Sequence, residues 1–164
     1  MRNTVVKKRS EPALQDYARC ITIHAPRGRV YDALASLDGV RGWWTPVVSG
    51  RATTGGELRV GFEGLGEDQE IIMRVDAATP VTSVQWSCIS HSMFEEWAGT
   101  KISFDLFERN GNTCEVWFRH SGLTPQLECY RICEDGWGHF LKTSLKRLVE
   151  TGKGEPYSGG PSTD

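Results

Sequence analysis

No stretch of this 164-residue chain has the roughly 18 consecutive apolar residues a membrane helix needs. No short apolar block follows the first residues either, so a secretory leader is not expected and a soluble, cytoplasmic protein is. Charge of one sign is also lacking: 19 Lys and Arg stand against 21 Asp and Glu, for a net charge of -2. That balance gives no reason to expect a nucleic-acid partner, and the short run Lys7-Lys8-Arg9 reads as a solvated tail. Catalytic motifs are missing as well. There is no HExxH, no phosphate-cradling glycine loop ahead of a helix and no Ser-His-Asp order, so neither a nucleophile nor a cofactor is expected. The five cysteines are odd in number and contain no CxxC pair. They read as reduced, mostly buried thiols, and although Cys129 and Cys133 stand one helical turn apart, no metal site is expected. The carboxylate pairs Glu67-Asp68, Glu95-Glu96 and Glu134-Asp135 read as solvated charges beside turns.

What is present is organised around the last long segment, Leu127 to Val149. Apolar or aromatic residues recur there at Tyr130, Cys133, Trp137, Phe140, Leu141, Leu145 and Leu148, a stripe at helical spacing. Gly136 and Gly138 flank Trp137, and each costs a helix about 1 kcal/mol relative to Ala. A helix carrying that cost needs room at this point, for a close neighbour or for a guest.

Upstream, Arg19 to Ala25 alternates as a first strand, and Pro26 to Ser36 reads as a short helix that Asp38-Gly39 ends. A second brief helical turn precedes Trp43-Trp44. The period then changes from helical to two. Leu58, Val60 and Phe62, then Ile71, Met73 and Val75, then Val84, Trp86 and Cys88 each share a strand face. Ile102, Phe104 and Leu106 do the same, as do Cys114, Val116, Phe118 and His120. Asn110-Gly111-Asn112 is a strong hairpin signal between the last two strands. Short polar turns between consecutive strands demand an antiparallel meander with one face buried, and the C-terminal helix is the element long enough to cover it. The expected fold is therefore α+β: a curved antiparallel sheet of six to seven strands around a long C-terminal helix, with two short helices after the first strand. Residues 1–17 are expected to be a flexible N-terminal segment, 18–153 the domain and 154–164 a flexible tail.

The run from Ile21 to Pro46 resembles the opening of the START-like (SRPBCC) superfamily, and within it the branch of activator of heat-shock protein 90 ATPase homologue-like proteins. The matching signs are Ala25-Pro26, Val30-Tyr31 with Ala33-Leu34, Trp43-Trp44 and Gly55-Gly56. They continue through Trp97-x-Gly99-Thr100, Thr113, His120-x-Gly122-Leu123 and Gly136-Trp137, and end with Leu141, Leu145-Lys146 and Gly152. The resemblance spans Arg19 to Pro156. It implies the helix-grip fold, in which the sheet grips the helix over an apolar cavity, and a family that includes ligand carriers, cyclase/aromatase-like enzymes and chaperone partners.

The residues expected to line such a cavity are Phe62, Met73, Trp86, Phe104, Phe118 and His120 from the sheet. From the helix come Cys133, Trp137, Phe140 and Leu141, with Trp44 and Trp97 at the rim. His120 is the candidate acid/base, facing inward at a strand end, whereas His91 and His139 read as surface. The expected function is binding of a small hydrophobic or aromatic ligand, as carrier or sensor. The alternatives are an enzyme of the cyclase/aromatase type using His120, and a chaperone-associated interaction protein. Association into a homodimer stays open.

Overall fold

The computed structural model describes residues 15–62 and 69–158. The expected flexible segment up to residue 14, the pair Glu67-Asp68 and the last residues from 159 lie outside the described residues. Seven strands form one antiparallel sheet: β1 (Tyr17–Ile23), β2 (Val47–Gly50), β3 (Glu57–Gly61), β4 (Glu70–Thr79), β5 (Ser83–His91), β6 (Lys101–Glu108) and β7 (Cys114–Ser121). Their order is β1-β7-β6-β5-β4-β3-β2, so the meander runs from β2 to β7 and the first strand closes the far edge. β1 starts two residues earlier than its alternation suggested, because Tyr17 is buried and pairs with His120 across the sheet. The β6–β7 turn is the expected one: Arg109 N–H donates to the Thr113 carbonyl and Asn112 N–H to the Asn110 side chain.

Two short helices follow β1, α1 (Arg27–Leu34) and α2 (Leu37–Trp43). Asp38-Gly39 does not end the first helix, as the sequence had suggested; it lies in the first turn of the second. Ser36 supplies the start of α2 by accepting from Gly39 N–H at 3.0 Å. A glycine is required at 39, since a Cβ there would come within 2.6 Å of the Ala33 backbone.

The C-terminal helix, α3, is continuous but not uniform. It is α-helical over Tyr130–Trp137, π-helical over Gly138–Leu145 and α-helical again over Lys146–Thr151, ending at Gly152 in the left-handed region. Its start is three residues later than the periodicity placed it. Its buried apolar positions are Cys133, Trp137, Leu141, Leu145 and Val149, a strict step of four. In an α-helix four residues turn through about 400°, so a step of four drifts by about 40° each time. The wider π-helical stretch cancels that drift and keeps all five residues on the sheet.

Polar contacts fix α3 in place. Lys146 Nζ donates to the Thr22 carbonyl at 2.7 Å, and Glu150 accepts from His24 N–H at 2.7 Å. Arg29 donates to the Val149 carbonyl at 2.8 Å. Beyond α3 the chain folds back on the domain rather than leaving it. Glu155 N–H donates to Ser144 Oγ at 2.8 Å, and Tyr157 N–H to the Trp44 carbonyl at 2.7 Å. The Tyr157 ring then sits edge-on to Phe62 at 5.4 Å. The expected tail from 154 is thus laid against the domain as far as residue 157.

Candidate functional site

Five of the six tryptophans meet between helix and sheet. Trp44 stacks on Trp43 at 5.6 Å and on Trp86 at 5.9 Å, and tilts against Trp137 at 5.3 Å. Trp137 in turn stacks with Trp97 at 6.0 Å and touches Phe118 at 4.6 Å. These rings occupy the middle of the space between helix and sheet. What stays open is a recess at one end, about 170 Å³ in volume.

Its walls come from five places. Trp44 and Phe62 form one side, Ile71 and His91 the ends of β4 and β5, and Met93, Phe94 and Trp97 the segment after β5. Ile132, Cys133, Gly136, Trp137 and Phe140 come from α3, and Tyr157 from the chain beyond it. Of the residues expected from sequence, Trp44, Phe62, Trp97, Cys133, Trp137 and Phe140 are brought together on this lining. Met73, Trp86, Phe104, Phe118, His120 and Leu141 lie in the buried core behind it. A Cβ added at Gly136 would meet nothing within 4 Å, and the same holds at Gly138, but only Gly136 lines the recess.

His120 is fully buried and both of its ring nitrogens are engaged. Trp137 Nε1–H donates to Nδ1 at 3.1 Å, which puts the imidazole proton on Nε2. Nε2 lies 2.8 Å from Thr100 Oγ1, whose own hydrogen goes to the Trp97 carbonyl at 2.6 Å. Burial, assisted by the nearby His91, pushes the His120 pKa down to about 3, so the ring is neutral. In this arrangement His120 holds the Trp137 indole in place.

His91 corrects the sequence reading. It is 6% exposed, not a surface residue, and lies on the recess. The reason is a β-bulge. Ile72 pairs with Ser90 but Met73 with Cys88, so Ile89 has no partner. The inward face therefore passes from Val84, Trp86 and Cys88 to His91, and Ile89 and Ser90 both point out. Its Nδ1 accepts from Met93 and Phe94 N–H, both at 3.1 Å, which turns the chain into the short 3₁₀ turn Glu95–Trp97. Burial pushes its pKa down to about 4.

Glu96 departs from the reading as a solvated charge. Its carboxylate accepts from Glu128 and Cys129 N–H at 3.2 and 3.3 Å, tying the segment after β5 to the start of α3. Burial raises its pKa, but those hydrogen bonds outweigh it and hold the carboxyl below its ordinary value. All five thiols are pushed up instead, burial being the main cause, Cys88 to about 12. None is poised as a nucleophile. Among the described residues no group of three or more His, Cys, Asp or Glu could hold a metal ion, and no helix is long and apolar enough to cross a membrane.

The family model described as Activator of Hsp90 ATPase homolog 1-like protein matches residues 24–150. The chain belongs to that family. Among solved structures, that of the Aha1 dimer from Colwellia psychrerythraea is 31% identical with a TM-score of 0.72, the match covering 85% of this chain and 99% of that one. A protein of unknown function from Enterococcus faecalis is 21% identical, with a TM-score of 0.63 and coverage of 86% and 74%. An HSP90 activator from Plasmodium falciparum is 12% identical, with a TM-score of 0.65 and coverage of 84% and 96%, a likeness of fold alone. No curated protein matches the chain.

Sequence reasoning did not find Ile71, His91, Met93, Phe94, Ile132 or Tyr157. Ile132 has a legible position, one residue before Cys133 and a turn before Gly136, but it falls outside the apolar stripe. Tyr157 falls in the Gly/Pro/Ser-rich end of the chain, where composition argued against order.

Proposed function

We propose that this family member is a small-molecule binding protein, a carrier or sensor, whose apolar aromatic ligand occupies the recess beside Gly136. The observation that carries the reading is the pairing of an almost wholly apolar lining with a glycine that leaves space no neighbour uses. An apolar cavity of about 150 Å³ accepts benzene, so 170 Å³ suits one aromatic ring. Met93 and Ile132, the latter 63% exposed, give the rest of a larger ligand an apolar rim. The five unpaired cysteines suit a reducing compartment such as the cytoplasm. An acid/base enzyme has less support, because both nitrogens of His120 are committed to Trp137 and Thr100. Saturation-transfer NMR with α-methylstyrene tests the reading: the wild type is expected to give ligand signal, and Gly136→Leu to lose it while keeping a native circular dichroism spectrum. Equal signal from the variant would overturn it.

A second reading concerns the opposite face of the sheet. Phe107 and Trp117 are 51% and 53% exposed and pack edge-on at 6.0 Å, an apolar pair with nothing over it among the described residues. The Colwellia psychrerythraea structure is described as a dimer. We propose that two copies of this chain associate through the β6–β7 surface, which Trp117→Ser should dissociate in sedimentation velocity. A wild type that is monomeric at all concentrations would refute it.

A further inference from the structure

The recess is apolar, yet two of the residues that line it carry a ring N–H with no acceptor among the described residues. His91 uses Nδ1 as acceptor for Met93 and Phe94 N–H, so its proton is on Nε2, and Nε2 has no hydrogen-bond partner among the described residues. The Trp44 indole N–H has none either. Neither atom is sealed from solvent; among the described residues the side-chain N–H that is both sealed and unpartnered is that of Trp86, deeper in the core. The other indoles on the lining are already spent: Trp97 donates to Cys133 Sγ at 3.2 Å and Trp137 to His120. His91 is more than nine-tenths buried on this wall, so the open side of its ring is the recess.

Resting on the reading that the recess binds an aromatic ligand, we propose that the ligand is a neutral single-ring molecule bearing a carbonyl-type acceptor, and that His91 Nε2–H is the donor that recognises it. A pure hydrocarbon would displace water from that N–H and leave it unpaired, which is costly in an apolar site. An ammonium group would meet two donors and no carboxylate on the lining. Selectivity here comes from a polar group left unsatisfied by the wrong ligand.

The test uses acetophenone and its isostere α-methylstyrene, in which C=CH₂ replaces C=O, titrated by NMR into the whole protein. The expected result is that the acetophenone-to-α-methylstyrene affinity ratio falls about tenfold in His91→Asn, whose side-chain oxygen keeps the acceptor for Met93 and Phe94 but lacks the distal N–H. His91→Gln, which restores an N–H near the Nε2 position, is expected to recover the ratio. In the wild type, acetophenone but not α-methylstyrene should shift the ¹⁵Nε2 resonance of His91, a readout that does not depend on any variant folding. Binding of both probes with an unchanged ratio and an unmoved ¹⁵Nε2 resonance would overturn the role of His91 and leave the aromatic-ligand reading intact. Binding of neither probe would overturn both.

Discussion

Gly136 and Gly138 offer a paired test, because the same substitution should stabilise the protein at both positions and affect binding at only one. A Cβ at either position meets nothing within 4 Å, so Gly→Ala brings no clash. Each alanine removes the glycine cost in a helix, about 0.8–1.0 kcal/mol. For a domain of this size that corresponds to a rise in thermal midpoint of about 2–4 °C. Gly138 does not line the recess, so Gly138→Ala should leave binding unchanged. Gly136 does, and a methyl group there takes up about as much room as one water, about 30 Å³, out of 170 Å³. Gly136→Ala should therefore gain the same stability and lose affinity for α-methylstyrene, the trade expected where a site is kept open at a cost in stability. Thermal unfolding followed by circular dichroism and ligand titration by NMR read the two effects separately. A lower midpoint in Gly136→Ala than in wild type would show that the space is not open. An unchanged affinity would show that the glycine is not kept for the ligand.

Acid should destabilise the fold well before its carboxylates titrate. The folded-state pKa values of His91, about 4, and His120, about 3, lie below the ordinary 6.5. The unfolded chain therefore binds more protons in between, and their contribution is complete above pH 6.5 and lost as the pH falls. From pH 8 to 5 each histidine should cost about 2 kcal/mol, and an unchanged urea midpoint across that window would refute the burial of both rings. Thr100→Val should leave His120 Nε2–H unpaired and cost about 1–3 kcal/mol by urea unfolding; a loss below about 0.5 kcal/mol would mean that Thr100 does not serve that ring. Glu96→Gln should speed hydrogen exchange at the Glu128 and Cys129 amides several-fold while leaving β6 and β7 unaffected. Unaltered exchange would show that the carboxylate does not hold the start of α3.

The meander and its covering helix were legible because period-two runs, the Asn110-Gly111-Asn112 turn and the Trp137 stripe are local signals read from neighbouring residues. The recess was only half legible. Residues on unbroken runs, such as Trp137 and Cys133, could be placed by counting. His91 could not, because the bulge at Ile89 is set by the partner strand and reverses the parity of the count. Glu96 was missed for a similar reason: its partners, Glu128 and Cys129, lie 32 and 33 residues away, and nothing local distinguishes a capping carboxylate from a solvated one. Pro26 and Ser36 sit at the starts of the two short helices, but Gly39 looked like a breaker because its neighbour, the Ala33 backbone, is brought close only by the turn between them.

The π-helical stretch from Gly138 to Leu145 makes the length of the last helix a functional variable. Loss of a single residue there would let the helix tighten to ordinary pitch, and because the tighter turns make up for the missing residue the two ends would keep their phase to within a few tens of degrees. Cys133 and Trp137 would still face the recess while Leu145 and Val149 stayed on the buried side of the helix. The end of the helix that shapes the recess and the end that anchors it to the core are thus phased by one wide stretch. A single-residue deletion at an exposed position between 138 and 145 should therefore be tolerated better than a single-residue insertion, as compared by thermal unfolding.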